Sequence, residues 1–180
     1  MSSSRPNGTI TAAVITVSDS CARGERTDLS GPAVAEALRK ENFSVIGTEV
    51  VPDEQTAIQN SLAYWAREAR FVVTTGGTGI AARDVTPEAT LAVCDRLLEG
   101  IAERMRLEGS KKTPFAALSR GVCGLRGQTI ILNLPGSPTG AVESLQAVIE
   151  LIPHAVQLLA GNTSHDNTGS ESKLKSSSSD

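Results

Sequence analysis

A chain of 180 residues with net charge −3, 39% apolar residues and 16 glycines has the composition of a globular protein long enough to close one sizeable core. No Lys/Arg stripe points to a nucleic-acid polymer, and no apolar run approaches the ~18 residues of a membrane span. The start, Met1-Ser2-Ser3-Ser4-Arg5, lacks the apolar stretch of a signal peptide, and Cys21, Cys94 and Cys123 are odd in number and far apart, so a cytoplasmic chain with reduced thiols is expected.

Residues 1–8 and 163–180 are polar and Ser-rich and are expected as disordered tails around one domain over 9–162. Inside it, strand and helix patterns alternate. Ile10 to Val17 reads as a strand, and Pro32 to Lys40 has helical spacing behind Ser30. Phe43 to Val51 is a second strand, followed by a helix from Glu54 to Ala69 and a third strand from Arg70 to Thr75. Thr86-Pro87 reads as N-cap and first helical residue of a helix running to Leu97, with Glu88 favourable to its dipole. Ile101 to Gly109 is a further short helix, and Ser119 to Gly124 an extra, antiparallel strand. Gln128 to Leu134 is a buried strand, and a long helix follows Pro138, with a kink expected near Ile152 from Pro153. Nearly all-apolar strands separated by helices predict a three-layer α/β fold with a mostly parallel sheet.

In such a sheet the strand-to-helix turns leave from one edge, where ligands bind. Those turns are Ser18-Asp19-Ser20, Pro52-Asp53-Glu54, Gly76-Gly77-Thr78-Gly79 with Asp84 beyond it, and Asn133-Leu134-Pro135-Gly136-Ser137. Glycines bring backbone N–H groups close to a phosphate, and Asp84 stands where it could hold a metal ion above it. For Asp53, a helix cap and a metal ligand are both open readings. Gly77 to Ala82 matches G-x-G-x-x-A, but Pro87 marks a later helix start and the motif lies in the third βα unit, which argues against a dinucleotide site. A P-loop is absent. The two histidines, His154 and His165, give little material for nucleophilic catalysis, whereas metal-assisted nucleotidyl transfer needs only carboxylates and amides.

Thr75-Gly76-Gly77-Thr78-Gly79, Arg83-Asp84-Val85-Thr86-Pro87-Glu88-Ala89-Thr90, Ile15 to Ser20, Leu118-Ser119-Arg120 and Asn133 to Ser137 together resemble the molybdenum-cofactor biosynthesis family of MogA, MoaB and the corresponding gephyrin domain. The chain departs from the commoner pattern at Ile80-Ala81-Ala82. The resemblance covers residues 8 to 161. It implies a three-layer α/β fold, usually a homotrimer, and Mg²⁺- and ATP-dependent adenylylation of molybdopterin with release of pyrophosphate. It further implies Asp53 and Asp84 as the catalytic and metal-binding pair. Gly76, Gly77, Thr78, Gly79, Asn133, Pro135, Gly136 and Ser137 would line the nucleotide and pterin site, with Ser18 and Asp19 on its edge and Ser119 facing the pterin. A protein that inserts molybdenum is a further partner implied in this way. Pterin binding or scaffolding without turnover is the other role such a fold serves, and retention of both Asp53 and Asp84 favours the enzyme.

Overall fold

The computed structural model describes residues 8–161. Apart from Gly8, the expected tails lie outside the described residues. Six strands form one sheet in the order β2-β1-β3-β6-β5-β4. The strands β1 (Thr11–Val17), β2 (Ser44–Val51), β3 (Phe71–Thr75) and β6 (Thr129–Leu134) run parallel, which puts their C-terminal ends along one edge. At the far side β5 (Cys123–Arg126) runs antiparallel to β6, and the two-residue β4 (Arg96–Leu97) pairs antiparallel with β5.

The central strands are buried on both faces because each is mostly apolar, and alternation decides which layer each side chain joins. Val14, Phe71, Val73, Ile130 and Leu132 face α2 (Ser30–Lys40), α5 (Glu99–Ser110), α6 (Pro138–Gln146) and α7 (Ile152–Leu159). Ile15, Val72 and Ile131 face α3 (Gln55–Glu68) and α4 (Thr86–Val93), meeting Ile58, Leu62 and Ala89. Two cores on either side of one sheet make the three layers.

Four local expectations are corrected. The helix begun at Thr86 ends at Val93, not Leu97: Asp95 N–H bonds to the Leu125 carbonyl at 2.7 Å and Leu98 N–H to that of Cys123 at 2.8 Å, so the chain leaves the helix to edge the sheet. Thr86 is the first helical residue rather than the cap; its hydroxyl donates to the Gly76 carbonyl at 2.9 Å. The antiparallel strand lies at Cys123–Arg126, later than Ser119 to Gly124, because Ser119 to Val122 run without ladder pairing after the 3₁₀ turn at Pro114–Leu118. The last helix is interrupted, not kinked. It stops at Gln146, passes through a 3₁₀ turn at Ile149–Leu151 and restarts at Ile152 with Pro153 in its first turn, where a missing N–H costs nothing. Three short elements were not foreseen: α1 (Asp19–Ala22), the strand β4 and a 3₁₀ turn at Pro114–Leu118.

Candidate functional site

The four turns at the parallel edge are stitched to one another by main-chain and carboxylate bonds. Ser18 N–H bonds to the Val51 carbonyl at 2.9 Å, and Gly76 N–H to that of Leu134 at 3.2 Å. Asp19 and Asp53 bond reciprocally: each backbone N–H donates to the other's carboxylate at 2.8 Å. Asp53 therefore does not cap α3, whose cap residue is Glu54 with no side-chain bond. The Thr75 hydroxyl donates to the Pro135 carbonyl at 2.7 Å, tying the third turn to the fourth. Ser18 and Ser137 cap α1 and α6, accepting from Cys21 N–H at 3.3 Å and Gly140 N–H at 3.2 Å.

Glycine is required at the centre of this arrangement. Gly76 and Gly77 have φ of +104° and +63°, and a Cβ on either would lie 2.3 Å from the Val17 carbonyl oxygen or 2.4 Å from the Thr86 hydroxyl. Consecutive left-handed residues turn the following amides outward. Among the described residues, no protein acceptor meets the N–H groups of Gly77, Thr78 or Gly79. The carboxylates flank this turn: Asp53 Oδ1 lies 3.4 Å from where a Cβ on Gly77 would stand, and Asp84 Oδ2 lies 2.8 Å from the same point on Gly79.

Burial, and then the negative charge of Asp84, hold the Asp53 carboxyl above the ordinary aspartate range. Arg83 supplies a positive group here, pairing with Asp19 and reaching Asp53 at 3.7 Å. Asp84 Oδ2 accepts from Ala81 N–H at 3.0 Å.

Two cavities open beside the turn. The larger, about 710 Å³, is lined by Gly77, Thr78, Gly79, Asp84, Ser119, Pro135, Gly136 and Ser137, with Phe115, Leu118 and Lys112 on its far wall. The smaller, about 240 Å³, is lined by Ser18, Asp53, Gly76, Gly77 and Gly136 together with Arg26, Asp28 and Ser30. Asp19 adjoins it through its bonds to Asp53. Asn133 lines neither. It is 1% exposed, its amide donating to the hydroxyls of Thr74 at 3.0 Å and Thr90 at 2.9 Å, so it fixes β6 against β3 and α4 instead of facing the cleft. Lys111 pairs with Glu108 at 2.6 Å and Lys112 with Glu143 at 2.7 Å.

Sequence patterns assign no site role to Arg83 or Arg120, and to Thr86 only a helix cap. Thr86 and Arg120 act through backbone carbonyls ten or more residues away, for which spacing carries no signal. Arg83 next to Asp84 was a visible charge whose direction only the turn decides.

Among the described residues no three His, Cys, Asp or Glu side chains converge as a metal cage. Asp53 and Asp84 still suit Mg²⁺, which binds hard oxygens through one or two carboxylates and takes the rest from phosphates and water. The upward push that Asp84 gives Asp53 marks a place where an added cation is electrostatically favoured.

Residues 13–154 match the family model described as "Probable molybdopterin binding domain". The chain belongs to this family. The matched stretch runs from within β1 into α7 and contains all four turns. It is 44% identical over 159 residues to the molybdenum cofactor synthesis protein cinnamon of Drosophila melanogaster, a match covering 86% of this chain and 26% of that protein. The chain thus spans about a quarter of cinnamon's length. With the molybdopterin adenylyltransferase of Helicobacter pylori (strain J99) it shares 43% identity over 158 residues, covering 86% of this chain and 90% of that enzyme. The crystal structure of the molybdopterin biosynthesis enzyme MoaB from Thermus thermophilus superposes with a TM-score of 0.80 at 51% identity, covering 85% of this chain and 98% of the other. Among the described residues, no helix is long and apolar enough to cross a membrane.

Proposed function

We propose that this molybdopterin-binding domain is a nucleotidyltransferase, a molybdopterin adenylyltransferase. It moves AMP from ATP to the terminal phosphate of molybdopterin, giving adenylylated molybdopterin and pyrophosphate. One observation carries the reading: Asp84 and Asp53 flank a glycine turn with free amides that borders two cavities, Asp84 lining the larger, about 710 Å³ and large enough for a pterin and its phosphate, and Asp53 the smaller. Relatives named molybdopterin adenylyltransferase support it.

In the reaction a terminal phosphate oxygen of molybdopterin forms a bond to the α-phosphorus of ATP, the bond from that phosphorus to the bridging oxygen breaks, and pyrophosphate leaves with the electron pair. The attacking oxygen already carries charge, so no protein base is needed. That agrees with a rim lacking histidine. The chain's work is positioning and charge placement. The N–H groups of Gly77, Thr78 and Gly79 are set to receive phosphate oxygens, and the apolar wall of Phe115 and Leu118 offers a face to a flat ring. Arg83, an exposed cation at the carboxylates, can follow charge from Asp19 and Asp53 to a phosphate. Asp53 and Asp84 would hold Mg²⁺, which when bound neutralises the triphosphate and the charge developing at phosphorus. A homotrimer acting in the cytoplasm, receiving molybdopterin and passing its product to a molybdenum-inserting protein, belongs to the same reading.

The test is to mix the protein with ATP, Mg²⁺ and molybdopterin and measure pyrophosphate. Release at catalytic amounts is expected, and molybdopterin binding without release would replace the enzyme with a binding module. Asp84→Ala should lose ~10²-fold or more in kcat, since it removes an electrostatic element at the reacting phosphate. Molybdopterin affinity by calorimetry should stay close to that of the unsubstituted chain. Near-normal turnover of the variant would remove the mechanism.

A further inference from the structure

We infer that Arg120 is a positioning residue for Asp84, its guanidinium bracing the 79–84 loop at both ends so that the carboxylate keeps its direction toward the glycine turn. This rests on the catalytic role proposed for Asp84.

The loop needs such a brace. Ile80, Ala81, Ala82 and Arg83 are exposed, Ile80 at 71%, and no apolar side chain of the loop reaches either core. Locally the Asp84 carboxylate has only the bond from Ala81 N–H, and both partners ride on the same loop. A loop held by its own short bonds opens readily.

Arg120 reaches this loop from the segment between the 3₁₀ turn and β5. Its backbone N–H donates to the Thr78 carbonyl at 2.9 Å. Its Nε donates to the Gly79 carbonyl at 2.7 Å, and its Nη2 to that of Asp84 at 2.5 Å. Nη1 pairs with the Glu88 carboxylate on the first turn of α4, and this pairing holds Glu88 below the usual carboxylate range. One planar group thus joins the first residue of the loop, its last residue and the helix after it. Arginine is needed because only its fork offers several N–H groups at fixed angles; a lysine ammonium is a point charge on a flexible stem.

The fold does not depend on this brace. The start of α4 is secured separately, by Thr86 N–H to the Gly77 carbonyl at 3.1 Å and the Thr86 hydroxyl to that of Gly76. Loss of Arg120 should therefore free the loop and leave the sheet intact.

Hydrogen exchange and kinetics test the inference on Arg120→Ala, Arg120→Lys and the double variant Asp84→Ala/Arg120→Ala. In Arg120→Ala, amides of Ala81 and Asp84 should lose protection while those of β1, β3 and β6 keep theirs. Its kcat should fall by ~10²-fold, the scale of a small misplacement, with KM for ATP and molybdopterin nearly unchanged. Arg120→Lys should be almost as slow, and added guanidinium ion should restore part of the rate of Arg120→Ala. The double variant should be no slower than Asp84→Ala alone, because Arg120 acts through that carboxylate. Additive losses, full activity of Arg120→Lys, or unchanged exchange in the loop would each overturn the brace. The exchange arm needs no turnover, so it decides the brace even if the unsubstituted chain releases no pyrophosphate.

Discussion

Gly76→Ala probes the backbone on which the site depends. The new Cβ would sit 2.3 Å from the Val17 carbonyl oxygen, inside the 3.0 Å that real Cβ atoms respect. That oxygen is main chain and cannot swing aside. Moving it would disturb the neighbouring bond from Ser18 N–H to the Val51 carbonyl, 2.9 Å long. Holding alanine at φ +104° adds about 1–3 kcal/mol of strain, and relieving the contact about 1–3 kcal/mol more. The sum, about 2–6 kcal/mol, is a large part of a typical domain stability of about 5–15 kcal/mol. At about 2–4 °C per kcal/mol, the midpoint of thermal unfolding should fall by roughly 4–24 °C. Two controls isolate the causes in a calorimetric or circular-dichroism melt. Gly127→Ala has φ +56° and nothing within 4 Å, so it should show only conformational strain, about 1–2 kcal/mol. Gly100→Ala, in the first turn of α5 with open space around it, should be neutral or slightly stabilising. Pyrophosphate release by folded Gly76→Ala should fall with the displaced turn. A melt of Gly76→Ala no lower than that of Gly127→Ala would refute the reasoning.

Three further outcomes are expected. By carbon NMR without divalent ion, Asp53 should titrate above the ordinary aspartate value of about 3.9, and Asp84→Asn should lower its midpoint part of the way, burial being the larger cause. Folding raises this carboxyl's proton affinity, so its contribution to stability is present in full below the ordinary value and is lost as pH rises through the folded one; an unmoved midpoint in Asp84→Asn would contradict the proximity of the pair. Burial pushes the thiols of Cys94 and Cys123 up to about 11 and about 12, so at pH 8 the thiolate fraction of Cys94 is only about 10⁻³. A disulfide reagent should then modify Cys21 alone in native buffer and all three cysteines after denaturation. Thr90→Val removes the acceptor of an Asn133 N–H bond of 2.9 Å, leaving a buried donor unpaired at about 1–3 kcal/mol. The urea midpoint should drop with the slope unchanged, and an unchanged midpoint would show that water or another group takes over.

The strands were legible because Ala12 to Val17, Phe71 to Val73 and Ile130 to Leu132 are apolar almost without a break, and nothing but a doubly covered sheet buries such runs. The rim followed from topology alone: once β1, β2, β3 and β6 are parallel, their C-terminal turns must meet. Element ends were less legible. Val93 looked like the middle of a helix because the competing partner, the carbonyl of Leu125, lies about thirty residues on. Asn133 was read as lining the site because it opens the Asn133 to Ser137 stretch that resembles the family, at the end of a rim strand. Its partners Thr74 and Thr90 come from a neighbouring strand and a helix, and no local pattern reports them. Arg120 stood in plain view next to Ser119, yet its bonds run to carbonyls, which every residue has.

Gly77 and Gly136 belong to both cavities, and a Cβ on Gly136 would come within 3.3 Å of the Gly76 Cα. The boundary shared by the two chambers therefore includes bare main chain from two turns. Molecules entering from opposite sides would be separated there by a span that backbone geometry dictates. Such a spacing resists drift in neighbouring side chains, and any substitution that thickens this boundary must first bend the ends of two strands.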